Sequence, residues 1–266
     1  MRRVLSIVMI VLSLAAVFVF GAPVAGAAVR SAADLAADCN DDGLVQLTAD
    51  TTYVGGAADV RGVVLFAGRP PVCLIDVKVA GITLKLKNVT LHGIDGATIN
   101  IGQSSVAGTT ISIGNSTIET AGVGGLGGAV SVKSDCCGGI PGGPGATVSI
   151  TNSAFRGAGV ELGVSLGNAD NGRFTMKGSD VVAEGDEFLS VADIVVRVSD
   201  VGHGGDASLQ NNTFTAANGF SARVGPDGGL SVTHNDFTGV AGTIEVHVAA
   251  GSTCSASGNT PAVVCT

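Results

Sequence analysis

Val148-Ser149-Ile150-Thr151-Asn152-Ser153-Ala154-Phe155 contains the pattern that decides the fold of this chain. Apolar and polar residues alternate from Val148 to Thr151, an Asn follows, and the next apolar residue of the pattern stands three positions beyond that Asn. Alternation with a period of two is typical of a strand that buries one face. Asn is typical of tight turns. The stretch therefore predicts a short strand that ends in a turn.

The same unit recurs along the chain, with copies starting at residues 84, 111, 148, 174, 207, 230 and 254. Successive copies are 23 to 37 residues apart, and the last one, Cys254 to Gly258, is degenerate. Repeats of this length indicate a solenoid in which each coil buries its apolar face against its neighbours. A second alternating strand is predicted in each unit, at 98–101, 130–132, 164–166, 194–198, 220–224 and 244–248.

The alternation assigns inward positions in every unit. The predicted inner column is Leu86, Ile113, Ile150, Met176, Leu209 and Val232. The next corner is predicted to contain Leu91, Ile118, Phe155, Val181, Phe214 and Phe237. The same parity places four turn residues inward as a structural ladder of hydrogen bonds, namely Asn88, Asn115, Asn152 and Asn211.

These repeats resemble the right-handed parallel β-helix of the pectate-lyase-like superfamily, most clearly at 150–155 and at Leu209-Gln210-Asn211-Asn212-Thr213-Phe214. The resemblance spans 84–259. It implies an all-β chain that forms a single right-handed parallel β-helix of about seven coils. The superfamily includes polysaccharide lyases, polygalacturonase-like hydrolases, phage tailspikes and adhesins, so the resemblance alone does not select an activity.

Residues 1–27 are expected to form a cleaved secretory signal peptide. Arg2 and Arg3 precede an apolar run, and Ala25-Gly26-Ala27 is a small-residue cleavage pattern. An uncleaved membrane anchor is the alternative, because the apolar run is longer than usual. Residues 28–80 are predicted to form an N-terminal cap and the first coils, and 81–266 the β-helix repeats. We therefore expect a secreted, extracellular or cell-surface protein without a membrane span after cleavage.

Six Cys in an exported chain indicate disulfides rather than metal ligands. Pairing Cys39 with Cys73 and Cys254 with Cys265 would close the N-terminal and C-terminal ends of the solenoid. Cys136 and Cys137 are neighbours in a Gly- and Pro-rich loop, and they are expected to pair with each other or with another partner. The connectivity stays open at this stage.

One partial metal motif precedes the repeats. Asp38, Asn40 and Asp42 follow the first half of a calcium-loop pattern, but Ala49 stands where a bidentate Glu is required. A simple turn is the alternative, so Ca²⁺ is a weak candidate and no cofactor is firmly predicted. The candidates for a lyase site are a loop cluster of Glu184, Asp186 and Glu187 near Arg173 and Lys177, with solvated loop charges as the alternative.

A basic column is predicted on the outward side of the second strands. It contains Lys133, Arg197, Arg223 and His247, with Asn100 and Ser165 in the remaining places. Regularly spaced cations suit an acidic polysaccharide or another polyanion. Compensation of these charges by Glu245, Asp200 and Asp227 is the alternative.

The outward side of the first strands is rich in hydroxyl groups. The candidate ligand-binding residues on this face are Ser149, Thr151, Ser231 and Thr233. A repetitive hydroxylated ligand such as a cell-surface glycan would suit the face, and a solvated sheet surface is the alternative.

Composition favours binding over catalysis. The formal net charge of −8 argues against nucleic acid as the main partner. The chain has no Trp and one Tyr, whereas sugar-processing clefts usually stack sugar rings on such residues. The sequence therefore predicts a secreted, non-catalytic protein that binds glycans or polyanions or acts as an adhesin, without assigning any catalytic residue. A lyase acting on an acidic polysaccharide, a glycoside hydrolase and a purely structural solenoid are the alternatives.

Overall fold

The computed structural model describes residues 27–64, 71–103, 107–120, 130–133, 144–158, 161–166, 170–184, 193–199 and 202–266. Within these ranges the chain forms one helix, α1 (Ala32–Asp42), and strands numbered β1 to β24 in chain order. The strands belong to three sheets, which we call sheets A, B and C.

Sheet A contains β1 (Ala28–Arg30), β3 (Thr51–Val54), β6 (Thr83–Lys87), β9 (Thr110–Gly114), β12 (Thr147–Thr151), β15 (Arg173–Lys177), β18 (Asp206–Gln210), β21 (Gly229–Thr233) and β24 (Thr253–Ser257). Sheet B contains β2 (Leu44–Leu47), β5 (Val72–Val77), β8 (Thr98–Gln103), β11 (Val130–Lys133), β14 (Glu161–Leu166), β17 (Asp193–Val198), β20 (Gly219–Val224) and β23 (Thr243–Val248). Sheet C contains β4 (Ala57–Val60), β7 (Thr90–Gly93), β10 (Thr117–Thr120), β13 (Ala154–Ala158), β16 (Asp180–Glu184), β19 (Thr213–Ala216) and β22 (Asp236–Val240).

The chain is a parallel β-helix, as the repeat predicted. Each coil passes from sheet A to sheet C to sheet B, and complete coils run from β3 through β23. Every named strand pairs in parallel with the strand one coil away, for example β12 with β15. The prediction of two strands in each unit is wrong, because the residues assigned to a corner lie on the third short strand of sheet C.

The predicted inner columns are confirmed. The column that runs from Leu86 to Val232 on sheet A is at most 5% exposed. The second column, from Leu91 to Phe237 on sheet C, is at most 2% exposed. Near the C-terminal end the rings of Phe214 and Phe237 stack at 5.1 Å between centroids, and Phe220 lies 4.9 Å from Phe214. Burial of each such side chain stabilises the fold by about 1.5–3 kcal/mol.

The inward position predicted for the Asn ladder is wrong, although one of its hydrogen bonds forms, from Asn152 Nδ2 to Asn115 Oδ1 at 3.4 Å. Asn88, Asn115, Asn152 and Asn211 are exposed, with φ angles of 54°, 49°, 47° and 54°. This left-handed conformation interrupts the alternation, so two consecutive residues point outward and the next residue points inward. Asn is among the few residues with a side chain that adopt this conformation readily, which explains its recurrence at the turn.

The buried ladder lies one residue later in each coil. Its members are Ser116, Ser153, Ser179, Asn212, Asn235 and the partly buried Asn259, and each accepts a hydrogen bond from a backbone N–H in the preceding coil. Each Ser hydroxyl also donates to the carbonyl two residues before it. Asn235 Nδ2 donates to Leu209 O at 3.0 Å and to Asn259 Oδ1 at 3.2 Å. The ladder therefore satisfies polar groups that the turn would otherwise bury without partners.

Helix α1 replaces the predicted calcium loop. Ser31 and Asp34 form a capping box at its start, and Gly43 ends it with φ of 67°. Asp38 and Asn40 are two residues apart on a helix, so their side chains point in different directions. Asp38 pairs with Arg30, and Asn40 Oδ1 accepts from the backbone N–H of Arg61 at 2.7 Å. The arrangement expected of Asp38, Asn40 and Asp42 in a calcium loop is thus not formed.

The N-terminal end is closed around α1. The buried side of the helix, which includes Leu35 and Cys39, joins the core, and Cys39 forms a disulfide with Cys73 in β5. The guanidinium of Arg30 lies 5.6 Å from the centroid of the Tyr53 ring. Burial raises the pKa of the Tyr53 hydroxyl. A hydrogen bond from the Ser31 backbone N–H lowers the pKa of Asp34.

The C-terminal end is closed by the last residues of the chain. Cys254 in β24 forms a disulfide with Cys265, which confirms the second predicted pairing. Thr260 forms a β-bridge with Asp236 at the end of sheet C, and Cys265 forms one with Val246 at the end of sheet B. The tail therefore covers the ends of these two sheets. Tail and disulfide together shield strand edges that would otherwise be open to other chains.

Two predictions lie outside the described residues, namely the signal peptide at 1–27, of which only the last residue is described, and the pairing of Cys136 and Cys137. No helix within the described ranges has the length and hydropathy needed to cross a membrane.

The buried ladder predicts a difference between neighbouring Asn positions. Asn235→Ala removes the acceptor of the Asn212 N–H and the donor to Leu209 O, both buried. We expect the free energy of unfolding to fall by about 2–4 kcal/mol, measured by urea denaturation.

The matched control is Asn211→Gly. Asn211 is exposed with φ of 54°, a conformation that Gly adopts without strain, so we expect a change of about 0.5 kcal/mol or less. Equal losses in the two variants would contradict the assignment of the ladder to the buried position.

Candidate functional site

The basic column is in register on the outer side of sheet B. Arg197 pairs with Arg223 and Arg223 with His247 on consecutive coils. Ser165 pairs with both Lys133 and Arg197, so it occupies the predicted place between them. The side chains of Lys133 and Ser165 lie outside the described set, and those of Arg197, Arg223 and His247 are exposed. We call Arg197, Arg223 and His247 the basic stripe.

One place in the predicted column is wrong. Asn100 pairs with Ser131 in the neighbouring column, and Gly102 is the residue in register with Lys133. The error arose because the boundaries of β8 and β11 could not be aligned by alternation alone. The row of basic residues therefore ends at Lys133, because Gly102, the next residue in register, has no side chain.

The charges of the basic stripe are only partly compensated. Arg223 Nη2 lies 3.4 Å from Glu245 Oε2, and both side chains are about half exposed. Arg197 forms no ion pair with any other residue in the described ranges. The predicted compensation by Asp227 is not formed, because its carboxylate lies 3.1 Å from His203 Nδ1 instead. Asp200 lies outside the described residues.

The hydroxyl-rich face is formed by the outer side of sheet A. Its middle column is Ser112, Ser149, Thr175, Ser208, Ser231 and Ser255, in register over six consecutive coils. Thr151 and Thr233 lie in the adjacent column, where Lys177 and Gln210 separate them. The structure thus brings Ser149 and Ser231 into one column and Thr151 and Thr233 into the next.

A shallow depression of about 380 Å³ lies on this face near the C-terminal end. Its first column is Arg173, Asp206, Gly229 and Thr253, which are in register on consecutive coils. The middle-column hydroxyls from Thr175 to Ser255 form its other side. Sequence analysis missed this column, although it could have been found by comparing the residue that precedes the first apolar residue of each repeat.

The described residues of the predicted lyase cluster lie on two sheets. Arg173 and Lys177 are on β15 of sheet A, whereas Glu184 ends β16 of sheet C. Asp186 and Glu187 are not among the described residues. Within the described ranges no group of three or more His, Cys, Asp or Glu side chains is arranged to bind a metal ion.

Comparison with protein-family models, curated proteins and solved structures finds no match for this chain.

The exposure of the basic stripe predicts that its arginines contribute little to folding. The double variant Arg197→Ala, Arg223→Ala loses one half-exposed ion pair and no buried contact. We expect the free energy of unfolding in urea to change by less than about 1 kcal/mol. A larger loss would indicate that the arginines are structural.

Proposed function

We propose that this protein is a non-catalytic extracellular protein that binds an acidic polysaccharide along the basic stripe of sheet B. The observation that carries the proposal is the register of Arg197, Arg223 and His247 on three consecutive coils. Parallel strands fix such side chains about 4.8 Å apart along the solenoid axis. A linear polymer that bears carboxylates or sulfates can follow such a row.

The position of the charges supports a ligand rather than an internal salt-bridge network. Arg197 lacks an acidic partner within the described residues, and Arg223 shares a solvent-exposed one with a contact of 3.4 Å. Exposed ion pairs of this kind are weak, so Arg223 can readily exchange Glu245 for an acidic group of the ligand. Because Arg has a planar donor group, each arginine can bind a ligand carboxylate through two hydrogen bonds.

Two observations support a binding role over a catalytic one. The chain has no Trp, and its one Tyr, Tyr53, is fully buried, so neither type can stack on a sugar ring at the surface. The described residues considered for a lyase site, Arg173, Lys177 and Glu184, are also divided between sheets A and C. The three-sheet coil nevertheless supports placement in the pectate-lyase-like superfamily, whose members include binding proteins as well as enzymes.

The extracellular location is part of the proposal. The N-terminal sequence has the features of a signal peptide, and the two disulfides at the ends of the solenoid are compatible with an oxidising compartment. A surface or matrix protein would meet acidic polysaccharides there.

The test is calorimetric titration with polygalacturonate and with alginate at low and physiological salt. We expect at least one polymer to bind, and the Arg197→Ala, Arg223→Ala variant to bind about tenfold more weakly. Two exposed charge contacts of roughly 0.5–1 kcal/mol each give an effect of that size. Binding should weaken as salt rises, because salt screens exposed charges.

The matched control is Lys85→Ala, Arg156→Ala, which removes two exposed cations from sheets A and C. This variant should retain most of the affinity, because binding depends on the cations of the basic stripe and not on the net charge of the protein alone. Equal weakening in both double variants, or no binding of either polymer by the parent protein, would refute the proposal. Release of unsaturated uronates during the titration would instead indicate the lyase.

Glu245→Gln should act in the opposite direction. The substitution frees Arg223 from its neighbour while it keeps the shape of the side chain. We expect severalfold tighter binding of the same polymer at low salt. Unchanged or weaker binding would show that Arg223 does not contact the ligand.

A further inference from the structure

We propose that the C-terminal end of the solenoid is a dimer interface, at which strand β24 pairs with β24 of a second copy of this chain. The two strands run antiparallel and join the two copies of sheet A into one continuous sheet. The interface lies at the end of the solenoid, apart from the basic stripe, and does not depend on the polyanion proposal.

Strand β24 has an unpaired edge. It is the last strand of sheet A, and within the described ranges it pairs only with β21. Thr253 N donates to Gly228 O at 2.9 Å, so Thr253 directs its backbone groups toward β21. Backbone groups alternate in direction along a strand, so those of Cys254 and Ala256 point away from β21. The bridges made by the tail lie on sheets C and B and not on this edge.

The sequence of β24 lacks the features that usually protect an edge strand. Edge strands commonly carry Lys, Pro or a bulge, which block pairing with another chain. Strand β24 reads Thr-Cys-Ser-Ala-Ser and pairs with β21 in unbroken register. No charged side chain occurs anywhere from 249 to 266. The edge is therefore regular, neutral and able to accept another strand.

The same end of the solenoid leaves the apolar core partly exposed. Ile244, Val248 and Val263 pack against the core but are only partly buried. Phe220, which is in register with Ile244 one coil earlier, is 2% exposed. Val264, next to Val263 in the chain, is 74% exposed. Terminal coils of solenoids that remain monomeric usually have a polar outer face, and this end has an apolar one.

The N-terminal end is closed differently, which disfavours a head-to-tail contact. Helix α1 seals the core there, with Leu35 and Cys39 fully buried. Asp34, Asp41 and Asp42 of the same helix are exposed. Stacking β24 of one copy on β1 of the next would press the neutral C-terminal end against these carboxylates and remove them from water. The C-terminal end is therefore complementary to a second C-terminal end.

The hydrogen-bonding groups of the edge place the two-fold axis at Ser255. When Ser255 lies opposite Ser255 of the second copy, Cys254 lies opposite the second copy's Ala256. Directly opposite residues of this kind exchange both of their N–H···O bonds in an antiparallel sheet. Every outward-directed backbone group of Cys254 and Ala256 then has a partner. Such a symmetric contact closes after two copies, so it does not produce a filament.

The test is sedimentation velocity of the full mature protein over a wide range of concentrations. We expect a reversible dimer and no larger species. Ala256→Pro removes a backbone N–H that only the dimer uses, and an edge strand tolerates Pro where its N–H faces solvent. The dissociation constant of the dimer should rise about tenfold or more, because symmetry removes the hydrogen bond twice.

A charge swap at Ser255 tests the register. Ser255→Lys and Ser255→Glu each place like charges directly opposite one another at the two-fold axis, so each variant alone should dimerise severalfold more weakly. An equimolar mixture of the two variants should recover the affinity of the parent as a heterodimer. Ser208→Lys, in the same outward column two coils before β24, is the matched control and should dimerise normally.

Two further variants distinguish this contact from others. Val29→Lys changes the opposite edge of sheet A, on β1, and should leave the dimer unchanged. The Arg197→Ala, Arg223→Ala variant should also dimerise normally, which separates this result from polyanion binding. Thermal melting of each variant identifies any that do not fold. The proposal would be overturned by a parent protein that stays monomeric, by longer assemblies that Val29→Lys abolishes, or by a dimer that neither the Ser255 variants nor a folded Ala256→Pro variant weakens.

Discussion

The turn between sheets A and C is the constraint on which the rest of this molecule depends. One residue in each turn adopts a left-handed backbone, and its N–H donates to the matching turn of the next coil, as Asn115 N does to Thr151 O at 3.0 Å. The following Ser or Asn points inward and bonds the coil before it. Backbone and side chain together therefore fix the vertical alignment of each coil. A slip of one residue would expose the inner columns, so this alignment is strongly stabilised by burial.

Fixed register converts single residues into columns. A cation on one coil stands directly above the residue at the same position on the next coil, as Arg197 does with Arg223. The outer surface is consequently a set of parallel rows, each of which can differ in chemistry without disturbing the core. Sheet B has partly compensated cations, whereas sheet A has hydroxyls and a separated Arg and Asp. This independence is why substitutions on the outer faces are expected to change binding far more than stability.

Much of the solenoid could be predicted from sequence because burial and alternation leave a direct pattern. The inner residues Ile113 and Leu209 follow from it. The two described disulfides agree with pairings suggested by the position of the Cys residues at the two ends of the solenoid. The ladder could not be placed, because a left-handed residue changes the parity and alternation does not report backbone handedness. The pairs Asn115-Ser116 and Asn211-Asn212 do contain the missing signal, since a small polar residue follows the turn residue. Helix α1 was missed because acidic residues suggested a loop, whereas the Ser31 and Asp34 cap starts a helix.

The glycines show how conformation and surface chemistry can be distinguished in such a fold. Gly178 and Gly258 have φ of 61° and 65°, and an added Cβ would lie 2.7 Å from Asn152 Oδ1 or 2.6 Å from His234 Cδ2. These two glycines are required by the turn and its stacked neighbours. Gly229 has no such backbone requirement, and the atoms nearest to its missing Cβ are Asp206 Oδ1 at 3.0 Å and Thr253 Oγ1 at 3.4 Å. A glycine that the backbone does not need, on a strand where β-branched residues are usual, weakens the sheet slightly. A Cβ at Gly229 would lie 3.0 Å from Asp206 Oδ1, so the glycine makes room for the carboxylate of the preceding coil.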